Sequence, residues 1–257
     1  MSYLIDSHCH LHDAEFFTPE QAEAMLLNAR ANDVRRIVCI GTDPDDSLAA
    51  RDFAKAHSQV YWTYGVHPEE WEKWATADAD AVAAAVKSLA REKLQRLVAI
   101  GEVGLDYHTE GYNRTAQIKL LEEMLQIATA NNLPVSFHVR NAFEDFFGVV
   151  ANFPNIRGVL HSFTDSKKTL KRLLEQTDFY VGVNGLSTYT TLPLPPLERI
   201  LLETDAPFLA PDGYRGTTNE PSHIKDIAEW LSRTLDVPYA TVQHTTTHNA
   251  EELFSFA

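Results

Sequence analysis

An α/β fold, a TIM-type (β/α)8 barrel, is what this sequence predicts. Three observations carry the prediction. Eight short apolar runs of β character recur along the chain, most are separated by segments with helical periodicity, and histidines and carboxylates gather at the ends of the runs. Runs that are continuously apolar, not alternating, belong to strands buried on both faces, which is the mark of a parallel sheet covered by helices. Eight such units in 257 residues match a closed barrel. A doubly wound open sheet is the alternative.

The runs follow one another as LIDSH (4–8), IVCIGT (37–42), VYWTYGVH (60–67), LVAIGEVGL (97–105), PVSFHV (134–139), GVLHSF (158–163), FYVGVNG (179–185) and RILLETD (199–205). Between the first two lies TPEQAEAMLLNARAND, where Thr18 can cap a helix, Pro19 suits its first position and Gln21 completes a capping box. DADAVAAAVKSLAREK (78–93) and RTAQIKLLEEMLQIATANN (114–132) read as further helices. The proline-rich TLPLPPLE (191–198) reads as the connection between strands seven and eight, and the segment 206–222 as a long loop. From Pro221 onward there are two helical patterns, the last ending in HNAEELFSF. No stretch rich in Pro, Gly or Ser divides the chain, so residues 1–257 are expected to form a single domain.

Composition bounds the function. With 44% hydrophobic and 10% aromatic residues the chain is ordinary for a globular protein, and disorder is not indicated. No basic N-terminal region precedes an apolar run, and no stretch approaches the roughly 18 apolar residues of a membrane span, so a soluble cytoplasmic protein is expected. The two cysteines, Cys9 and Cys39, offer no disulfide framework and no cysteine zinc cluster. A formal charge of −14, from 36 acidic and 22 basic side chains, argues against broad electrostatic attraction to nucleic acid. A phosphate substrate stays compatible, because bound cations and a few arginines can reverse the field inside a cleft. No membrane and no obligate protein partner is inferred.

The C-terminal ends of barrel strands build the active site, so polar residues there are read differently from polar residues elsewhere. His8 and His10 lie two apart on the first strand and project together, whereas Cys9 between them faces the helices as a buried apolar residue. Glu102 lies in strand four, His138 ends strand five, His161 ends strand six and Asp205 ends strand eight. Any one of these, taken alone, reads as a hydrogen-bonded rim residue. Together they are four histidines and two carboxylates on one rim, a donor set suited to Zn, Mg or Mn and larger than one ion commonly takes. Two divalent ions at the C-terminal ends of the strands are expected, with Glu102 between them. His12 and His108 are loop residues that can touch substrate, while His57, His223, His244 and His248 fall in helical or connecting segments and read as solvated or capping residues.

The motifs DSHCHL, GVHP, GEVGLDY, HVRNA, LHSFT, ETDAPFLAP and NEP, in this order, together with the terminal THNAEELF, resemble the TatD family of metal-dependent deoxyribonucleases in the amidohydrolase superfamily. The resemblance spans nearly the whole chain. It implies a TIM-type barrel, a two-metal centre and hydrolysis of DNA phosphodiesters. His8, His10, Glu102 and Asp205 would hold one metal, and Glu102, His138 and His161 the other. Two departures stand out: Asn141 replaces a frequent aspartate in HVRNA, and Thr217 and Thr218 replace basic residues after Arg215. The second weakens the case for tight binding of a long polyanion.

A metal-activated water is then the expected nucleophile. Asp205 is the candidate to accept its proton, and His67 to orient or protonate the leaving group. Arg140 and Arg215 are the expected phosphate contacts, since guanidinium forks match phosphate oxygens. The substrate implied is DNA, short or single-stranded and cut from an end. One competing reading is an amidohydrolase acting on a small ester, amide or phosphoester, but many of those enzymes bridge their metals with a carboxylated lysine on strand four, where this chain offers Glu102. A non-catalytic metal-binding barrel is the other.

Overall fold

The computed structural model describes residues 3–75, 84, 86–88 and 96–256. Eight parallel strands, β1 (Leu4–Cys9), β2 (Val34–Cys39), β3 (Val60–Tyr64), β4 (Leu97–Asp106), β5 (Val135–Arg140), β6 (Gly158–Leu160), β7 (Tyr180–Val183) and β8 (Ile200–Leu202), form one sheet in sequence order. With β8 returning to β1 through the parallel bridge Cys9–Ala206, this is the (β/α)8 barrel class. Most of the helix expected over 78–93 lies outside the described residues.

The chain divides into two compact units. The first comprises Met1–Cys39 and Ser162–Leu253. Its β1 and β2 pair in parallel from Leu4–Val34 to Cys9–Cys39, and β7 pairs with β8 from Val181–Ile200 to Val183–Leu202. The helices here are α1 (Pro19–Ala31), then α6 (Lys167–Gln176), α7 (Ile224–Leu235) and α8 (Tyr239–Phe254), with α8 belonging to this unit as far as Leu253. Thr18 caps α1 as the sequence indicates: its hydroxyl accepts from the Gln21 N–H, and the Gln21 side chain accepts from the Thr18 N–H.

The second unit comprises Ile40–His161 and Phe254–Ala257. It holds α2 (Pro44–Ala56), α3 (Trp71–Ala75), α4 (Arg114–Asn131) and α5 (Phe143–Val150) around β3 to β6. Its core includes fully buried Trp62, Phe137, Phe146, Leu120 and Met124. Each such side chain contributes about 1.5–3 kcal/mol relative to exposure, which fixes the strands whose ends carry the polar groups.

Strand boundaries differ from the sequence reading where polarity interrupts an apolar run. β2 starts at Val34, three residues before the run at 37, because Arg35 and Arg36 join the strand with their side chains at least partly exposed. β6 ends at Leu160, before His161 and Ser162, because the chain turns there through a left-handed Ser162 at φ 46°. Similar left-handed turns occur at Asn141 (φ 56°) and Asp205 (φ 55°), so several strands hand over to their loops abruptly beside a polar residue.

Candidate active site

In the first unit, the end of β1 and the turn after β8 are stitched together by backbone. The Asp205 N–H donates to the His8 carbonyl and the His10 N–H to the Ala206 carbonyl, both at 2.8 Å. The stitching brings the side chains to one point: Asp205 Oδ1 lies 3.6 Å from His8 Nε2 and 3.5 Å from His10 Nε2. His8 and His10 are buried and Asp205 nearly so. These separations exceed hydrogen-bond length. They equal what ligands at about 2.1 Å from a common tetrahedral cation would show, about 3.4 Å apart, so the donor set fits a divalent ion.

Beneath it sits Asp6, fully buried, which accepts from the Thr204 N–H at 2.9 Å and the Thr204 hydroxyl at 2.6 Å. Burial pushes the Asp6 carboxyl well above the usual carboxylate range, against the pull of its bonds to Thr204 and the His8 N–H. A second buried carboxylate, Glu203, accepts from the Ser162 N–H at 2.8 Å and the Asn184 amide at 3.2 Å. A Cβ on Gly182 would run into that carboxylate, so any larger residue there would displace it from its bonds. Asn219 of the NEP motif clamps the long loop: its amide donates to the Thr204 and Phe208 carbonyls at 2.8 and 2.7 Å, and its Oδ1 faces His223 Nδ1 at 2.8 Å.

In the second unit, Glu102 is 4% exposed and meets three histidines. His138 Nδ1 is 2.9 Å from its Oε1, His161 Nε2 3.6 Å and His67 Nε2 3.9 Å. The other nitrogen of His138 bonds Asp106 Oδ2 at 2.8 Å. Burial works to lower the His138 pKa, but the bonds to Asp106 and Glu102 outweigh it and hold it up to about 9. His67 behaves oppositely: burial, reinforced by His138, pulls it down to about 4, leaving it neutral at pH 7. Its Nδ1 accepts from the Glu69 N–H at 3.3 Å, which assigns the proton to Nε2.

The structure therefore brings His8, His10 and Asp205 together in one unit, and His67, Glu102, His138 and His161 in the other. Arg140 is exposed at the end of β5, and Arg215 is exposed in the long loop with its guanidinium 4.4 Å over the Tyr189 ring. His108 is exposed, and its Nδ1 is 3.4 Å from the amide of Asn141, so the aspartate-to-asparagine departure falls on a histidine partner. His12 lies 6.4 Å from His10, ring to ring. His57 follows α2 and packs on Phe53, and His244 and His248 stack along α8. Cys9 is fully buried as expected, hydrogen-bonded with Cys39, its register partner on β2.

Asp106 and Glu203 are neighbours of these groups that the sequence did not single out, and Asp6, noticed beside His8 and His10, is bonded to Thr204. For Asp106 a signal existed: it follows Glu102 and Gly104 at spacing two along β4.

Among known proteins, the model of the TatD related DNase family matches residues 5–255. The uncharacterized metal-dependent hydrolase YabD of Bacillus subtilis is 30% identical, over 98% of this chain and 98% of its own length. The 3'-5' ssDNA/RNA exonuclease TatD of Pantoea ananatis is 34% identical, over 90% of this chain and 92% of its own length. Among solved structures, YjjV, a TatD homolog from Escherichia coli K12, superposes with a TM-score of 0.84 at 26% identity, covering 99% of this chain and 98% of that one.

Proposed function

This chain belongs to the TatD-related DNase family and is a metal-dependent hydrolase, and from that premise we propose that it hydrolyses phosphodiester bonds of DNA, removing nucleotides from the ends of short or single strands. The observation that carries the reading is the convergence of His8, His10 and Asp205, with Asp205 Oδ1 3.6 and 3.5 Å from the two histidine nitrogens and all three donor atoms within 4.8 Å of one another. In this reading His8, His10 and Asp205 would hold one divalent ion and Glu102, His138 and His161 would hold a second, in one hydrolase domain spanning 1–257. Such ions lower the pKa of a water and neutralise charge on phosphoryl oxygens.

The residues do the rest. Asp205 accepts the proton of the attacking water. Asp106 holds His138 through its Nε2, the kind of outer partner that fixes a ligand imidazole. His67, neutral with its proton on Nε2, orients the leaving group as a hydrogen-bond donor and does not act as an imidazolium acid. Arg140 and Arg215 contact phosphate oxygens, and stacking on Tyr189 restrains the Arg215 guanidinium. The Pantoea relative's name supports an exonuclease working on single strands.

The test is to load the protein with Zn, Mg or Mn and offer labelled single- and double-stranded DNA, RNA, and panels of small esters and amides. Stepwise shortening of single-stranded DNA from an end is expected. Turnover confined to small esters or amides would overturn the phosphodiester reading.

A further inference from the structure

Phe16 and Phe208 are each nearly half exposed, at 45% and 47%, yet they are not scattered surface rings. Phe16 lies in the loop between β1 and α1, and Phe208 in the loop after β8. Their rings meet edge to face with centroids 5.2 Å apart and planes at 81°, and the Phe208 ring lies 6.4 Å from that of His10. Single exposed apolar residues need no explanation, but a touching aromatic pair beside a candidate metal ligand leaves apolar area in water at a cost the fold has other ways to avoid. The neighbouring Phe17, 4% exposed, already serves the core.

Both rings are presented from pinned backbone. The Phe208 N–H donates to the Asp205 carbonyl at 2.8 Å, and its own carbonyl accepts from the Asn219 amide at 2.7 Å. Phe16 sits in a turn in which the Phe16 and Phe17 N–H groups donate to the Asp13 carbonyl and the Glu15 N–H to the Asp13 carboxylate. Little ordering entropy is left to lose when a flat ligand lands on the pair.

We propose that Phe16 and Phe208 form a stacking platform for the unpaired nucleobase next to the scissile phosphodiester. This rests on the phosphodiester reading above and names what that substrate carries: bases free to stack, as in a single strand. Charge points the same way. A protein of formal charge −14, with Thr217 and Thr218 beside Arg215, has little basic surface with which to hold a polyanion. Stacking supplies affinity without charge and tolerates every base, because each has a π face. The Phe208 ring lies 6.4 Å from the His10 ring, about one nucleotide's length from the ion site proposed at His10 and Asp205.

The experiment uses the full chain carrying Asp205→Asn to keep strands intact, and measures by fluorescence anisotropy the binding of labelled single-stranded hexathymidylate and of the same backbone with abasic sugars. With the platform present, the base-bearing strand binds about 5- to 150-fold more tightly, the span expected for stacking one base. With Phe16→Ala and Phe208→Ala added, that ratio falls toward one. Phe16→Leu with Phe208→Leu, which keeps apolar bulk without a flat ring, loses most of it, and circular dichroism verifies the fold of each variant. An unchanged ratio in the alanine variant overturns the platform. The catalytic reading is separated by hydrolysis with the protein carrying its native Asp205: if neither strand is cut while the binding ratio holds, the phosphodiester reading fails and the pair stands as a nucleobase-stacking site only. If both strands are cut and bases confer no tighter binding, the platform fails and the reading stands.

Discussion

Histidines meet carboxylates differently in the two units. In the first, His8 and His10 stand 3.6 and 3.5 Å from Asp205 Oδ1, too far to be hydrogen-bonded to it. In the second, His138 is engaged at both nitrogens, with Glu102 at 2.9 Å and Asp106 at 2.8 Å. The donor atoms of the first group are spaced as ligands of a common cation would be, while in the second the His138 imidazole is held by protein hydrogen bonds. A carboxylate of the first group should therefore matter through the chemistry it performs, and one of the second through the imidazole it holds.

The largest effect expected is at Asp205. Asp205→Asn should leave the fold intact, since asparagine tolerates the left-handed φ of 55° as aspartate does, and should cut turnover at least about 100-fold. Steady-state kinetics on labelled DNA measures it, and near-normal turnover would remove Asp205 from the mechanism. At Asp106 the loss should be indirect: Asp106→Asn weakens cation affinity by about 10- to 100-fold, the usual scale for the outer partner of a ligand histidine. Isothermal titration with the divalent ion reads this out, and unaltered affinity would show that His138 needs no second anchor.

Glu203 sharpens the contrast with a carboxylate whose partners are neutral. Glu203→Met keeps the volume but removes the acceptor for the Ser162 N–H and the Asn184 amide, and should lower stability by about 1–3 kcal/mol in urea unfolding. No loss would mean that the Glu203 bonds contribute nothing to holding the turn after His161. The smallest effect concerns salt. With a formal charge of −14 and Thr217 and Thr218 beside Arg215, log affinity for single-stranded DNA should fall with log salt with a slope of about 2 to 3, each phosphate contact adding roughly 0.7 to 0.9. A slope near 10 would reveal an extended anionic-strand surface.

What the sequence discloses follows from periodicity. His8 and His10 were legible because spacing two on a strand gives one face, and Glu102 because a carboxylate inside an apolar run is anomalous. The same rule reached Asp106, but Gly104 between them carries no side chain to mark the face, and DY reads as the start of a loop. The roles of Asp6 and Glu203 were hidden because a buried carboxylate satisfied by Thr204, or by Ser162 and Asn184, depends on partners 19 to 198 residues away in sequence. The extension of β2 back to Val34 was masked by Arg35 and Arg36, whose polarity resembles a loop. Phe16 and Phe208 resemble core residues in any composition count, and only their exposure distinguishes them.

The Asn219 clamp bears on how this protein can change. Because that side chain joins the Thr204 and Phe208 carbonyls, and its N–H donates to the Pro207 carbonyl, the long loop is tied at its base while its tip carries Gly213 and Gly216 with open space around them. Doubling the length of such a tethered loop costs only about 0.6 kcal/mol of closure entropy. Insertions near 212–216 should therefore be absorbed at the loop's tip, where they would move the phosphate contact proposed at Arg215 and so try new specificities while His8, His10 and Asp205 are inherited intact.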